Sequence, residues 1–307
     1  PILHSFPTRR SSDLVRHTYG KAQTPYEGLT EALTADNTAI RIHLNSVIST
    51  PSRRYSTVDI KNFYLMTDEM DEPEFMWAYL KNIPIATQQR FNLPALATKD
   101  GRVLIRVRKG IYGLPQAGRL AQTKLFKHLA SHGYHEARNT PCLFLHDTRD
   151  ISFTLVVDDF GVGWSLQADF DHLQATLEEL YEIKIDHTGS KYLGITIKWN
   201  YTPGDRWVRL SMPGYISSAL AKYGTVAATK PTNNPGIHVP PKYGGSVQLS
   251  EQDQSPLLNP ARKLRVQGIV GTILYYGRMI DCTLLAAVGQ LSSRQAHATT
   301  DTEARAE

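Results

Sequence analysis

The sequence predicts an α+β domain built on an antiparallel sheet. Two observations carry this reading: the order of its elements and the grouping of its strands into hairpins. Along the chain the order is helix, strand, strand, helix, hairpin, helix, hairpin, helix. A length of 307 residues fits one large domain or two ordinary ones, and 41% hydrophobic residues are enough for a sizeable core.

Residues 1–14, PILHSFPTRRSSDL, fit nothing that follows; they read as a non-native scar, with native sequence from about Val15. The segment ALTADNTAIRIHLNSVIS then carries Ala39, Ile42, Leu44, Val47 and Ile48 on a helical pattern, with Asp36 or Asn37 placed to cap it. Residues 56–60, STVDI, read as a strand, and residues 68–74, DEMDEPE, as an acidic loop. VLIRVR at 103–108 alternates as a strand does. Pro115 opens a helix that Gly133 stops, with Ala117, Ala121, Leu125 and Leu129 as its core face. ISFTLVV and FGVGW form a hairpin with Asp158 and Asp159 at its turn. Phe170, Leu173, Leu177 and Leu180 mark the next amphipathic helix. KYLGITIKW and RWVRLSM pair across a turn at Asn200 to Asp205. A short helix at 213–224 follows. Residues 225–262 are rich in Pro, Gly, Ser and Asn and read as a linker. Helical pattern returns from Lys263 to about Arg294, and the polar tail from Ala296 is expected to fray.

Composition removes several classes. Cys142 and Cys282 are too few for a disulfide framework or a zinc ribbon, and they suit the cytoplasm or nucleus rather than secretion. No apolar run approaches the roughly 20 residues of a membrane span. The net charge of +5 is mild, but from Lys99 to Lys127 eight basic residues meet the single acid Asp100. Such a stretch either tracks a phosphate backbone or is a solvated strand and helix face.

Asp158-Asp159 is a poor choice for a tight turn, which prefers Asn-Gly, Asp-Gly or Gly-Gly. Adjacent carboxylates repel, and a divalent cation would neutralise both; an exposed acidic turn is the alternative. Asp59 ends an apolar strand and is followed by Phe63 and Tyr64. Alone it reads as a cap. Together, few carboxylates with water and phosphate are what Mg2+ prefers, and two shared ions suit an in-line phosphoryl displacement.

At these residues the chain resembles the reverse transcriptases of copia-type retrotransposons. STVDIKNFYL is similar to motif A, KGIYGLPQAG to motif B and LVVDDFGV to motif C. KYLGI resembles the segment after motif D, and VQGIVGTILYYGRMIDCTLLAAVGQLSS the run that follows the thumb. The matches stand in family order over residues 20–294.

The resemblance implies a right-hand polymerase fold: a palm with an antiparallel sheet at roughly 50–110 and 140–200, fingers, and a partial thumb and connection. Fingers and palm would occupy 15–210, the thumb start and linker 211–262, and a helical connection-like segment with a polar tail 263–307. The implied activity is RNA-directed DNA polymerisation, adding dNTP to a DNA primer on an RNA or DNA template. Two Mg2+ ions, or Mn2+ in their place, would be held by Asp59, Asp158 and Asp159. Asn62, through its backbone, together with Phe63, Tyr64 and Gln116, would line the nucleotide site. Tyr64 would bar a ribose 2′-hydroxyl, unless it is simply a core aromatic. Arg106, Lys109, Gly113, Arg119 and Gly194 would face template and primer, with Gly113 and Gly118 allowing close backbone approach. Lys184 or Lys191 would be the general acid, and Arg41, Arg53 or Arg54 would clamp the triphosphate.

The sequence departs from the pattern at Val156-Val157, where an aromatic usually precedes the aspartates, and at Arg119-Leu120, after motif B. No ribonuclease H, integrase or protease motif is present, although the family carries them on one polyprotein. A fragment of such a polyprotein is therefore expected. The alternatives are a degenerate element that only binds nucleic acid, a binding module without chemistry, and a two-metal nuclease.

Overall fold

The computed structural model describes the backbone of residues 19–22 and all of residues 29–225, 244 and 253–307. The expected scar and most of the expected linker lie outside the described residues. The chain divides into two compact units: residues 1–193 with 199–208, and residues 194–198 with 209–307.

The first unit is α+β, as predicted, and its sheets are antiparallel. Its main sheet has six strands in the order β5-β6-β7-β8-β2-β9. These are β2 (Arg54–Ile60), β5 (Tyr134–Glu136), β6 (Leu143–His146), β7 (Ile151–Val156), β8 (Asp159–Trp164) and β9 (Ile183–Asp186). Every position of β7 is buried, because it lies inside the sheet between β6 and β8 and is covered on both faces. Phe153 on β7, Phe160 on β8 and Phe170 are fully buried, and the Phe153 and Phe160 rings pack with centroids 5.2 Å apart.

Helix α1 (Asn37–Ser49) packs on this sheet, capped by the Asp36 carboxylate, which accepts from the Thr38 and Ala39 amides at 2.6 and 2.9 Å. Ala39, Leu44, Val47 and Ile48 are buried as expected, but Ile42 is 62% exposed and Ile40 takes its place. The helix can sit this low because Gly163 has no side chain: a Cβ there would stand 2.6 Å from Val47 Cγ2 and 3.0 Å from His43 Nε2.

A second sheet, β1-β3-β4, joins β1 (Tyr19–Ala22), β3 (Glu74–Tyr79) and β4 (Arg102–Val107). Glu74, expected to end the acidic loop, opens β3 instead. Two short helices, α2 (Ile85–Arg90) and α3 (Leu93–Leu96), separate β3 from β4. Helix α4 (Ala117–Ser131) buries Ala117, Ala121, Leu125 and Leu129, the face its spacing predicted. It starts two residues after Pro115, with Gln116 as its cap residue. Helix α5 (Gln167–Glu178) follows β8. It ends short of Leu180, which the spacing placed inside the helix.

The hairpin that carries Asp158 and Asp159 is shifted by one residue from expectation. Val156 pairs with Asp159, so the two turn residues are Val157 and Asp158, and Asp159 already belongs to β8. Val157 takes φ +60°, a left-handed conformation that a β-branched residue adopts only under constraint from its surroundings.

A three-stranded sheet, β10-β11-β12, contains the residues at which the two units divide; its strands are β10 (Lys191–Tyr192), β11 (Ile195–Thr202) and β12 (Asp205–Ser211). The second unit continues with α6 (Tyr215–Tyr223), α7 (Pro260–Met279), α8 (Leu285–Arg294) and α9 (Thr300–Ala306). Val266, Ile269, Val270, Val288, Ala298 and Ala306 form its core. The expected frayed tail is instead helix α9. The Thr299 hydroxyl accepts from the Thr302 amide at 3.2 Å, and Glu303, 7% exposed, pairs with Arg262. A cap, an ion pair with a buried carboxylate and one apolar anchor hold a segment whose composition alone reads as polar. No helix of the described residues is long and apolar enough to cross a membrane.

Candidate active site

Strand register brings Asp59 and Asp159 together. They are directly opposed on β2 and β8, and opposed residues in an antiparallel pair point to the same face with their Cβ atoms about 5 Å apart. Asp158 sits beside them at the turn, where its carbonyl accepts from the Ile60 amide at 3.1 Å. All three are half-buried.

Burial raises the Asp159 carboxyl to about 7, and the charges of Asp158 and Asp59 push the same way. Asp158 rises to about 6, first through burial, with the charge of Asp59 adding to it. The charged side chains acting on this pair are carboxylates. Side chains of this kind, sharing one sheet face, suit a divalent cation by charge and by oxygen donors. Their carboxylates nevertheless do not all lie within 4.8 Å of one another. Among the described residues, that condition is met by His128, His132 and Glu179.

Lys184 on β9 is opposite Asp59 on the other side of β2, so an exposed ammonium shares the face of the aspartates. Lys191 is on β10, in another sheet.

Tyr64 and Tyr112 stand at the rim of this face. Their rings meet edge to face with centroids 4.8 Å apart. Burial raises Tyr64 to about 12, with Asp158 as the next cause. Tyr112 is raised by burial and then by Asp158 and Asp59. Tyr64 is half-buried and also packs against Met76, Val107, Leu114 and Ala117, so it is both a wall of the site and a part of that core. Tyr112 was missed by sequence reasoning. Its only signal was its place in IYGLPQ, among glycines and a glutamine with more obvious parts to play.

Asn62 adopts φ +54° between β2 and a 3-10 turn at Phe63–Met66, and its side chain caps nothing. Phe63, expected at the nucleotide, is a core residue: it is 2% exposed and packs against Tyr181, ring centroids 6.1 Å apart. Its neighbour Tyr64 is only half-buried and feels the charge of Asp158. Gln116 is also sealed in. It is 2% exposed and its amide nitrogen donates to the buried carboxylate of Glu74 at 3.0 Å, while its amide oxygen has no partner among the described residues. A neutral amide is the group that can hold a buried carboxylate without adding a second charge.

Gly110 lets the loop close on Tyr64, since a Cβ there would stand 2.8 Å from the Tyr64 carbonyl oxygen. Gly113 has φ +98° and is exposed. Gly118 is less tight, its nearest neighbour being Ala32 Cβ at 3.4 Å. Gly194 belongs to the second unit, with φ +77° and open space where a Cβ would stand.

The basic stretch is partly neutralised by the acidic loop. Lys124 pairs with Asp68 at 2.8 Å and Arg108 with Glu69 at 2.5 Å, while Arg102 pairs with its neighbour Asp100. Arg106 and Lys109 are exposed and enter no ion pair among the described residues. Among the described residues Arg119 donates to the Glu31 carbonyl, at 3.5 Å. Arg53 is held by Asp150 at 2.9 Å, and the Arg54 guanidinium lies over the Tyr201 ring; Arg41 is exposed on α1.

No protein-family model matches the chain, and no curated protein matches it either.

Proposed function

We propose that the chain is the polymerase core of a copia-type reverse transcriptase with a right-hand fold, extending a DNA primer on an RNA or DNA template. One observation carries the reading. Asp59 and Asp159 are cross-strand partners with Asp158 at the adjoining turn, and Tyr64 and Tyr112 flank them. The motifs that supply these residues are far apart in sequence and meet on one sheet face.

In this reading the three aspartates would hold Mg2+, which would supply positive charge to the attacking oxygen and the leaving pyrophosphate. Tyr64 presents ring bulk to the sugar of the incoming nucleotide, which favours the deoxy form. The primer 3′-hydroxyl loses its proton as its oxygen bonds the α-phosphorus. The α–β phosphoanhydride bond breaks, and Lys184 is the group on the same face able to protonate the departing pyrophosphate. Arg106 and Lys109 contribute unpaired positive charge for the nucleic-acid backbone. The rest of a polyprotein would supply ribonuclease H, integrase and protease.

A second reading, a degenerate element that binds nucleic acid without chemistry, is favoured by two features. The carboxylates are not gathered to metal-sharing distance, and Gln116 is engaged with Glu74. Primer extension with Mg2+ separates the two. Extension by the wild type, abolished in a folded Asp158→Asn that still binds template-primer, supports the polymerase. Binding with no extension by the wild type supports the second reading. Wild-type extension by Asp158→Asn would refute the assignment of the aspartates.

A further inference from the structure

His128 in the last turn of α4 and His132, the residue that ends it, are four positions apart and present their rings on the same side, centroids 4.6 Å apart. Glu179 faces them from just beyond the end of α5. Ligand atoms of all three fall within 4.8 Å of one another. The proposed polymerase chemistry uses none of them.

The hydrogen bonds set the tautomer of one imidazole. His132 Nδ1 lies 3.1 Å from the His128 carbonyl and donates to it, with the Ser131 hydroxyl 3.3 Å away. This leaves the His132 Nε2 lone pair directed at Glu179 Oε1, 3.2 Å distant. Two acceptors at that distance repel unless a positive centre joins them, either a proton or a metal ion. A ring nitrogen fixed by a backbone carbonyl behind it is the usual arrangement of a histidine that ligates a metal.

The spacing fits a small tetrahedral ion. Bonds of about 2.0–2.1 Å to nitrogen and oxygen give ligand-to-ligand edges of about 3.3–3.4 Å. His132 Nε2 and His128 Nε2 lie 3.2 and 3.7 Å from the Glu179 carboxylate oxygens. His128 Nε2 donates to the Thr176 carbonyl at 2.6 Å; ligation through Nε2 requires the neutral ring to carry its proton on Nδ1 instead, exchanging that bond for the metal. The side chains are 11%, 26% and 53% exposed for His128, His132 and Glu179, so an ion can enter and water can fill a fourth position.

We propose that His128, His132 and Glu179 form a site for a borderline divalent ion, Zn2+ by preference, that ties α4 to the end of α5. Two imidazoles and one carboxylate select Zn2+ or Co2+ over Mg2+, which demands oxygen ligands. The site is thus chemically distinct from the aspartate face. The tie has a structural purpose. Helix α4 starts a few residues after Tyr112, and α5 follows the hairpin that carries Asp158 and Asp159, so the ion would fix two elements that lead from the candidate active site.

The test uses the whole purified chain, stripped with EDTA and then titrated with Co2+ alone. The expected result is one site with the visible absorption of a tetrahedral ion, displaced by Zn2+ and not by a large excess of Mg2+. Zn2+ should also raise the unfolding temperature. His128→Gln, His132→Gln and Glu179→Gln should each weaken Co2+ binding about tenfold or more, while His135→Gln should leave it unchanged. If a histidine variant fails to fold, Glu179→Gln, at the most exposed of the three positions, still decides. No tetrahedral spectrum and no Zn2+-dependent rise in unfolding temperature would overturn the proposal and leave a proton-held ion pair. Undiminished binding by Glu179→Gln would overturn it as well.

Discussion

In EDTA at pH 8, Asp159→Asn is expected to resist denaturant better than the wild type, although it removes a proposed catalytic group. The Asp159 carboxyl titrates at about 7 in the folded chain, against an ordinary value of 3.8, chiefly through burial. The folded state therefore binds this proton more tightly than the unfolded state. Between about pH 4 and pH 7 the native form holds more protons, so stability falls as pH rises through that window and stays low above it. A rise of that size sets a ceiling of about 4 kcal/mol, at about 1.4 kcal/mol for each tenfold change in proton affinity. Asn keeps the shape and loses the charge, so a gain of about 2–4 kcal/mol is expected at pH 8, vanishing near pH 4. Asp158→Asn should gain less, and the double variant less than the sum, because the carboxylates act on one another. Urea unfolding across pH measures this directly. Adding Mg2+ should then stabilise the wild type and not the variant, by mass action on the folded state. A variant that is less stable at pH 8, or a difference that does not change with pH, would refute the picture of a desolvated acidic cluster.

Tyr64→Ala should admit ribonucleotides while deoxyribonucleotide addition continues more slowly, and Tyr64→Phe should keep most discrimination. Unchanged selectivity in a folded Tyr64→Ala protein would leave Tyr64 as a core aromatic only. Charge reversal at Arg106 and Lys109 should lower the slope of log K against log salt for template binding by about 0.9 for each phosphate no longer neutralised. Reversal at Arg108, already paired with Glu69, should do less; an unchanged slope for the first pair would make the stretch a solvated surface. Val157→Gly should raise stability by up to about 1 kcal/mol, since relief of a left-handed β-branched residue outweighs the added chain entropy. A fall in stability would mean that the valine side chain packs more usefully than its backbone suggests. His43 is 4% exposed and burial depresses it to about 3, so the unfolded chain takes up its proton first as pH falls from 6.5. His43→Gln should flatten the decline in stability on acidification, as read from melting temperatures between about pH 7 and pH 4.

The parts of the fold legible in the sequence were those where one period ran long enough to fix a face. Helix α4 is the clearest case: four residues at i+4 spacing, all buried. Elements were missed where that condition fails. Strands β5, β6 and β9 span three or four residues, too short to show a period, and only their neighbours in the sheet make them strands. Strand β3 begins on a buried glutamate at the end of an acidic run, so local charge hid it. Helix α9 depends on Glu303 meeting Arg262 from a helix some forty positions earlier, which no local pattern encodes.

The candidate site divides along the same line. That Asp59 would meet Asp158-Asp159 was a matter of motif order, and the opposition of Asp59 and Asp159 is a register no single segment specifies. The roles given to Phe63 and Gln116 came from resemblance alone, and packing places both side chains in the interior. Gln116 shows why. A buried carboxylate at Glu74 must be bonded, and the nearest amide is drawn to it; a requirement set by one strand thus decides where a residue on another element points. Lys184 is placed by pairing in the same way. Its candidacy over Lys191 rests on being one strand away from Asp59 in a particular register. A one-residue slip of β9 would send its side chain to the opposite face. Side-chain chemistry can be read from a sequence, but which side chains share a face is decided by pairing between strands.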